Sequence, residues 1–510
     1  MKAFLFLAVA LISGCTAVDY QQPKAASTAI PAGDGAALDV ALGDLASGRE
    51  DSHSGFLILS DAIDALAARL RLAEEAERSI DVQYYLIKRD QTGIAFLSAL
   101  LSAADRGVRV RLLIDDMFNG SFDRDMAALD SHPNFEIRVF NPFNRGVLGK
   151  PLGALANFPR INRRMHNKSF TVDSRVSIVG GRNIADEYFG ARRDSVFGDL
   201  DVMGVGPVVG DVNAMFDAYW AHPAALPLAG FLKPIENAAS VLADLRLAFA
   251  EHNARLEGTR YAEAVLDRAY RDVDASQNSM VWADYNLIYD TPDKGLRNRA
   301  APSDTILAPL ADSLTTVERE LVIVSPYFVP TRDLREGLIR AAQAGVKIVV
   351  ITNSLAANNQ KTVHGGYAPS RKPLLRSGVR LAELRPDAVV SGTEFVDASA
   401  ARSTLHTKAY IVDRREVFIG SFNFDPRSMY INTEMGVIIK DPVLGSEIVA
   451  NLEQALPAAV WEVSLGEGDT LRWSGLRGGE ARVETKEPMT SWWDRFKAGI
   501  YRLLPIRSQL

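Results

Sequence analysis

Two copies of one α/β domain, each a β-sheet flanked by helices, are what this chain of 510 residues predicts, and three observations predict it. Stretches with strand-like and helix-like periodicity alternate along most of its length. The pattern His-x-Lys-x-x-x-x-Asp, with an Asn 17 positions after its His, occurs as His166, Lys168, Asp173 and Asn183, and again 240 residues later as His406, Lys408, Asp413 and Asn423. A second pair of stretches, AADRGVRVRLLID (Ala103–Asp115) and AAQAGVKIVVITN (Ala341–Asn353), matches at an offset of 238. One copy of a short motif can be accidental. Two copies, with a second matching stretch at nearly the same spacing, indicate duplication.

In chain order, Lys2 and the apolar run Ala3–Ile12 are followed by Ser13, Gly14 and Cys15. The run is too short to span a bilayer, which takes about 20 residues, and the small residues before Cys15 look like a cleavage site. Ile12-Ser13-Gly14-Cys15 is similar to the bacterial lipobox, whose cysteine is lipidated. That likeness implies a signal over residues 1–15, a lipid anchor on Cys15, and a place in the bacterial cell envelope, membrane-bound and facing the periplasm. Cys15 is the single cysteine, which excludes a disulfide within the chain. An Ala/Gly-rich stretch, 16–51, reads as a flexible tether.

The first repeat spans 52–220. Apolar residues at helical spacing predict a helix over Ala62–Arg78, then a strand over Ser79–Ile87, a helix over Gln91–Arg106 and a buried strand over Val108–Ile114. Asp115 and Asp116, at that strand's end, read as capping residues, because the second repeat carries Thr352 and Asn353 there. Residues 221–300, rich in Ala, Leu and charge, read as a largely helical connection that covers the site. The second repeat, 301–460, opens with LVIVSPYFVP (Leu321–Pro330) in the role of SIDVQYYLI. In the last segment, 461–510, Trp493, Phe496, Ile500 and Leu503 share a helical face among Arg495, Lys497, Arg502 and Arg507, a pattern that suits either a membrane interface or a docked terminal helix. The aromatic residues Tyr327 and Phe328, with Trp492 and Trp493, are candidates for an apolar entrance.

Each motif reads as a hairpin. With the turn centred between Arg414 and Arg415, Asn423 falls opposite His406 and Ser421 opposite Lys408; in the first copy Asn183 falls opposite His166 and Gly181 opposite Lys168. Opposed side chains lie roughly 5 Å apart, so imidazole, ammonium, amide and hydroxyl converge on a spot that suits a phosphate. Asp173 and Asp413 have the other parity and brace the turns. Cleaving a phosphodiester without a metal needs a nucleophile, an acid for the leaving oxygen, and fixed positive charge. Two His, two Lys and two Asn supply the set, which requires the halves to face each other. The spacing offers Glu434 as the carboxylate behind His406, and Asp199 or Asp201 behind His166. No cluster has metal-ligand spacing, and no cofactor is implied. The formal net charge of −6 gives no basic footprint for nucleic acid. His364, in VHGGYAPSR, is the one histidine outside the motifs with a candidate role, since Gly365 and Gly366 would let a lipid approach.

HNKSFTVD and HTKAYIVD, with Gly180-Gly181-Arg182-Asn183 and Gly420-Ser421-Phe422-Asn423 downstream, resemble the phospholipase D superfamily from about Ser54 to Ala458. SPYFVP, GSFNFDPRS and NTEMG make the chain most like its bacterial cardiolipin synthases, in a shorter subtype without leading transmembrane helices. The resemblance implies two α/β repeats with the site at their interface. It also implies a catalytic set of His166, Lys168, Asp173, His406, Lys408 and Asp413, in which His166 is the nucleophile that becomes phosphohistidine and His406 the acid. The expected activity is phosphatidyl transfer that makes cardiolipin from membrane phospholipids, phosphatidylglycerol and possibly phosphatidylethanolamine. A hydrolytic phospholipase D, or a phosphodiesterase or nuclease of the superfamily, is the alternative.

Overall fold

The computed structural model describes residues 18–33, 35, 38, 48–117, 123–143, 160, 162–192, 194–269, 280–296, 305–390, 402–503 and 509. Cys15 and the signal reading over 1–15 lie outside them, as does the side chain of Leu503. In the first repeat the strands are β1 (Ser54–Leu59), β2 (Ser79–Tyr84), β3 (Arg109–Asp115), β4 (Phe135–Phe140), β5 (Ser169–Val172), β6 (Val176–Gly180), β7 (Ser195–Gly198), β8 (Asp201–Val205) and β9 (Ala225–Pro227). Next come β10 (Val281–Tyr289), β11 (Glu320–Val324), β12 (Lys347–Asn353), β13 (Arg380–Leu384), β14 (Arg402–Leu405), β15 (Ala409–Val412), β16 (Glu416–Gly420), β17 (Met435–Lys440), β18 (Val460–Leu465), β19 (Leu471–Arg477) and β20 (Glu480–Glu484).

The repeats have the same wiring. β2, β3 and β4 run parallel, and β2 pairs antiparallel with β5, which continues into β6 and β8. β11, β12 and β13 run parallel likewise, and β11 pairs with β15, which continues into β16 and β17. The parallel strands are buried on both faces, and in the first repeat one face carries polar side chains, among them Asp81 paired with Arg111 (2.6 Å). The helices Ala62–Glu75 and Gln91–Asp105 are capped by the side chains of Asp61 and Asp90, which satisfy first-turn amides.

β10 splices the two sheets. Its first residues, Val281–Ala283, pair with β1, and the remainder, Asp284–Tyr289, pairs with β17. One core cluster is common to both repeats, with Phe56, Leu113 and Val179 from the first and Val322, Ile351 and Val437 from the second. The repeats are therefore joined by buried apolar contact as well as by chain.

Two readings of the segments between and before the repeats are corrected. The connection contains a strand, β10, and its helices Ala238–Leu256 and Arg260–Ala269 bury Leu242, Leu245, Phe249 and Val265 in the first repeat's core, so these helices enlarge that repeat, while Asp290 accepts from Glu434 N–H (2.8 Å). Nor do residues 18–33 behave as a free tether. Asp19 N–H donates to Gly230 O (2.8 Å) and Ala29 N–H to Asp217 (2.9 Å), while Trp220 Nε1 donates to Ser27 Oγ (2.9 Å) and Ser174 Oγ to Ile30 O (2.6 Å). Low hydrophobicity hid this segment, which is held by polar groups of the first repeat.

Candidate active site

The stretch leading into each motif histidine is clamped by a side chain at the end of a parallel strand. Asp115, ending β3, accepts from Met165 N–H (2.9 Å) and Met117 N–H (2.8 Å). Asn353, ending β12, accepts from Leu405 N–H (2.8 Å) and donates to Leu405 O (2.9 Å). The neighbouring Asp116 accepts from Phe143 N–H, so this acidic pair fastens loops.

The backbone then pairs across the repeats. Met165 bridges to Thr433, with His166 N–H donating to Thr433 O (3.0 Å) and Thr433 N–H to Arg164 O (2.9 Å). On the other side β7 and β14 form a two-stranded parallel ladder, at whose end His406 N–H donates to Gly198 O (2.8 Å). These pairings set Glu434 beside His166 and Asp199 beside His406. His166 Nδ1 lies 2.7 Å from Glu434 Oε2, and His406 Nδ1 lies 2.6 Å from Asp199 Oδ2. The expected assignment is thus reversed: each histidine is held by the carboxylate of the other repeat. Asp201 is in neither pair. It is buried against Arg69 (2.7 Å) and Arg182 (3.4 Å).

The hairpin register is also corrected by one residue. Ala409 pairs with Ile419 and Val412 with Glu416, as Ser169 does with Val179 and Val172 with Val176. Three residues, not four, make each connection. Asp413 and Arg414 (φ 51° and 58°), like Asp173 and Ser174 (51° and 54°), adopt left-handed backbone, the tight geometry that suits strand twist. Gly420 therefore stands opposite Lys408, and Ser421, Asn423, Gly181 and Asn183 lie past the strand ends. Asn183 Nδ2 donates to Tyr188 OH (2.8 Å), and the Oδ1 atoms of Asn183 and Asn423 are buried with no hydrogen-bond partner among the described residues. Gly181 is needed for space, since a Cβ there would lie 2.2 Å from Asp199 Oδ1.

Asp173 and Asp413 stand away from the histidines. Asp173 accepts from the backbone amides of Glu77, Arg78 and Ser79, and Asp413 from those of Glu318, Arg319 and Glu320. Each ties its hairpin to the start of the parallel strand beside it, β2 or β11, so neither is placed to touch a substrate.

A family model described as "Cardiolipin synthase, PLD-like domain" matches residues 70–220 and 310–459, the two units that carry these pairs. The chain belongs to that family of phospholipase D-like proteins. It is 42% identical to "Cardiolipin synthase C" of Escherichia coli (strain K12), over 89% of this chain and 95% of that protein. It is 24% identical to "Cardiolipin synthase B" of the same strain, over 83% and 81% respectively. A crystal structure of phosphatidylserine synthase from Haemophilus influenzae Rd KW20 superposes with a TM-score of 0.57 at 13% identity, over 93% of this chain and all of that one, which shows a common fold.

Within the family's paired-motif frame, burial sets the electrostatics. It pushes the imidazoles down, His166 to about 4 and His406 to about 3, against the raising effect of the carboxylates. It lowers the ammonium groups too, Lys168 to about 7 and Lys408 to about 8. Asp199 and Glu434 are held below the usual range despite burial, by Lys408 and His406 in one case and His166 and Lys168 in the other. Two lysines whose protons a bound anion would hold, confined with two neutral imidazoles, are arranged as a receptor for one anion would be.

Aromatic residues finish the site, and sequence reasoning did not single them out for it. Tyr85 meets His166 edge-on at 5.0 Å, Tyr188 meets His406 edge-on at 5.0 Å, and Phe197 stacks on His406 at 5.3 Å. Tyr188 OH is 3.4 Å from His406 Nε2. Glu434 accepts from Ser421 Oγ (2.5 Å) and Ser428 Oγ (2.8 Å). Tyr85 was visible beside the SIDVQY strand and Ser428 within GSFNFDPRS, but no spacing rule marked either. Phe328 is in the second repeat's core, not at an entrance. His364 is buried, with Nε2 3.2 Å from Glu487; what approaches Gly365 is Tyr501 of the C-terminal helix, not a lipid.

Proposed function

We propose that the protein is a phosphatidyltransferase that makes cardiolipin, taking its phosphatidyl group from phosphatidylglycerol through a phosphohistidine on His166. The observation that carries the reading is the pair of crossed His–carboxylate contacts enclosed with two lysines. With Nδ1–H donated to Glu434, the Nε2 of His166 presents its lone pair. It attacks phosphorus, a P–N bond forms, and the P–O bond to the leaving glycerol breaks as His406 Nε2 gives that oxygen a proton. His406 then takes the proton from an acceptor lipid's hydroxyl, whose oxygen attacks phosphorus and releases His166. Lys168 and Lys408 hold the phosphoryl oxygens, and the anion they bind raises the proton affinity of His406. We further propose that Cys15 carries a lipid anchor in the cell envelope, facing the periplasm; among the described residues no helix is long and apolar enough to cross a membrane.

The test is turnover by the purified chain in vesicles of phosphatidylglycerol and phosphatidylethanolamine with separately labelled headgroups. Cardiolipin with released glycerol is expected. Released ethanolamine would change the donor, dominant phosphatidic acid would make the enzyme a hydrolase, and cleavage of DNA without lipid turnover would make it a nuclease.

A further inference from the structure

The C-terminal helix Trp492–Leu503 is docked on one side and bare on the other. Its inner side meets the helix Lys361–Tyr367: Asp494 pairs with Lys361, and Tyr501 lies so close that a Cβ on Gly365 would come within 3.0 Å of its own Cβ. Just before the helix, Glu487 joins His364 (3.2 Å) to Arg371 (2.6 Å), so the helix is fixed in orientation. Its outer side exposes Trp492 (59%), Trp493 (60%), Phe496 (46%) and Ile500 (42%). The rings support one another, Trp492 stacking on Phe496 at 5.1 Å and Trp493 meeting it edge-on at 5.7 Å. Lys497 and Arg502 are exposed beside them, while the helix's one acidic side chain, Asp494, is engaged inward with Lys361 and Ser491.

The helix that carries this face packs beside segments that build the site. The helix it rests on follows β12, whose last residue clamps Leu405 beside His406. Beyond it, Gln509 accepts from Asn162 Nδ2 (2.6 Å) and Arg427 Nε (3.2 Å), and Arg427 lies near Tyr85 and Glu434. The stretch around Asn162 is also where the N-terminal residues arrive, through the Tyr20–Arg160 hydrogen bond.

We infer that the Trp492, Trp493, Phe496 and Ile500 face is a docking surface for an anionic phospholipid bilayer, which seats the rim of the active site on the membrane. A helix of this length, about 18 Å, lies in the interface with aromatics down and cations at headgroup level. The four side chains offer on the order of 400 Å², about half of the roughly 800 Å² per partner that a stable dimer buries, so a second copy fits the face less well. The inference rests on the phosphatidyltransferase reading only for where the substrate resides.

The test uses the full chain in phosphatidylglycerol–phosphatidylethanolamine vesicles whose acyl chains carry bromine, a quencher of indole emission. Quenching is expected, and its loss in the Trp492→Phe/Trp493→Phe variant. Trp492→Glu/Phe496→Glu should lower turnover in vesicles by about tenfold and leave turnover of dispersed short-chain phosphatidylglycerol unchanged. No quenching, or equal vesicle turnover, overturns the inference, as does emission shielded from both bromolipid and aqueous iodide, which would mark a protein partner. Should the wild type turn over neither substrate while quenching persists, the catalytic reading fails and the docking surface stands.

Discussion

The two ends of the active site are built to one plan and finished differently. At the first, Glu434 behind His166 accepts two hydroxyls, Ser421 and Ser428. At the second, Asp199 behind His406 accepts from Leu200 N–H (2.8 Å), with Gly181 where the repeat offset would put Ser421 and Tyr188 where it would put Ser428. Tyr188 reaches past the carboxylate to the reactive nitrogen of His406. Under the proposed mechanism, hydroxyls on Glu434 steady a base that stays put while it attacks. The phenol at Nε2 sits where the same mechanism has protons enter and leave. The difference fits the roles proposed above, attack by His166 and proton transfer by His406.

The sharpest way to break that match is to delete each imidazole. His166→Ala and His406→Ala should each cut turnover by at least about 10³-fold, but His406→Ala alone should accumulate phosphoenzyme, seen by acid quench and mass spectrometry. Phosphoenzyme in His166→Ala would exchange the roles. The crossed contacts make a further demand, with losses of about 10²-fold. Glu434→Gln, although in the second repeat, should slow phosphoenzyme formation, whereas Asp199→Asn, in the first, should slow its breakdown; the opposite pattern would mean that each carboxylate serves its own repeat's histidine.

Smaller changes sharpen the contrast. Tyr188→Phe removes a hydroxyl bonded to Asn183 and His406, and Ser428→Ala one bonded to Glu434 and Asn423 N–H; at about 1 kcal/mol for each bond turnover should fall several-fold or more, with only Tyr188→Phe altering the ratio of transfer to hydrolysis. Acid stability is a check on the buried imidazoles. Unfolded histidines protonate near 6.5, but here His166 does so at about 4 and His406 at about 3. The unfolded chain therefore binds more protons between those values, and stability that is full above pH 6.5 drains away as pH falls toward 4 and 3. The melting temperature should fall across that window, less steeply in the His166→Ala/His406→Ala protein. Least of all for chemistry, Asp173→Ala and Asp413→Ala should spare kcat and lower stability, by about 2 kcal/mol for the buried Asp173 and about 1 kcal/mol for the more exposed Asp413, measured by urea unfolding.

The duplicated motif, the parallel strands and the fastening role of Asp173 and Asp413 could be read from spacing and parity, because these are local properties of the chain. What escaped was set by distant contact or by backbone shape. Glu434 and Asp199 were assigned to the wrong histidines because the pairing of Thr433 with Met165, and of β7 with β14, joins segments more than 200 residues apart. The register slipped by one because Asp413-Arg414 and Asp173-Ser174 take left-handed backbone without the glycine that usually announces it. Ser27 and Ile30 looked like linker because their partners, Trp220 and Ser174, come late in the sequence.

The splice made by β10 has a consequence for synthesis. When Val281–Ala283 can first pair with β1, the partner of Asp284–Tyr289 has yet to be translated. At about 5–20 residues per second, β17 follows only after on the order of ten seconds, during which a half-paired strand presents open backbone to neighbouring nascent chains. Asp284 and Asn286 interrupt its apolar character, and their side of the strand is partly exposed even in the finished protein. They act as gatekeepers, so Asp284→Val should leave the folded enzyme active while lowering its soluble yield, most at high expression and least when holding chaperones are abundant.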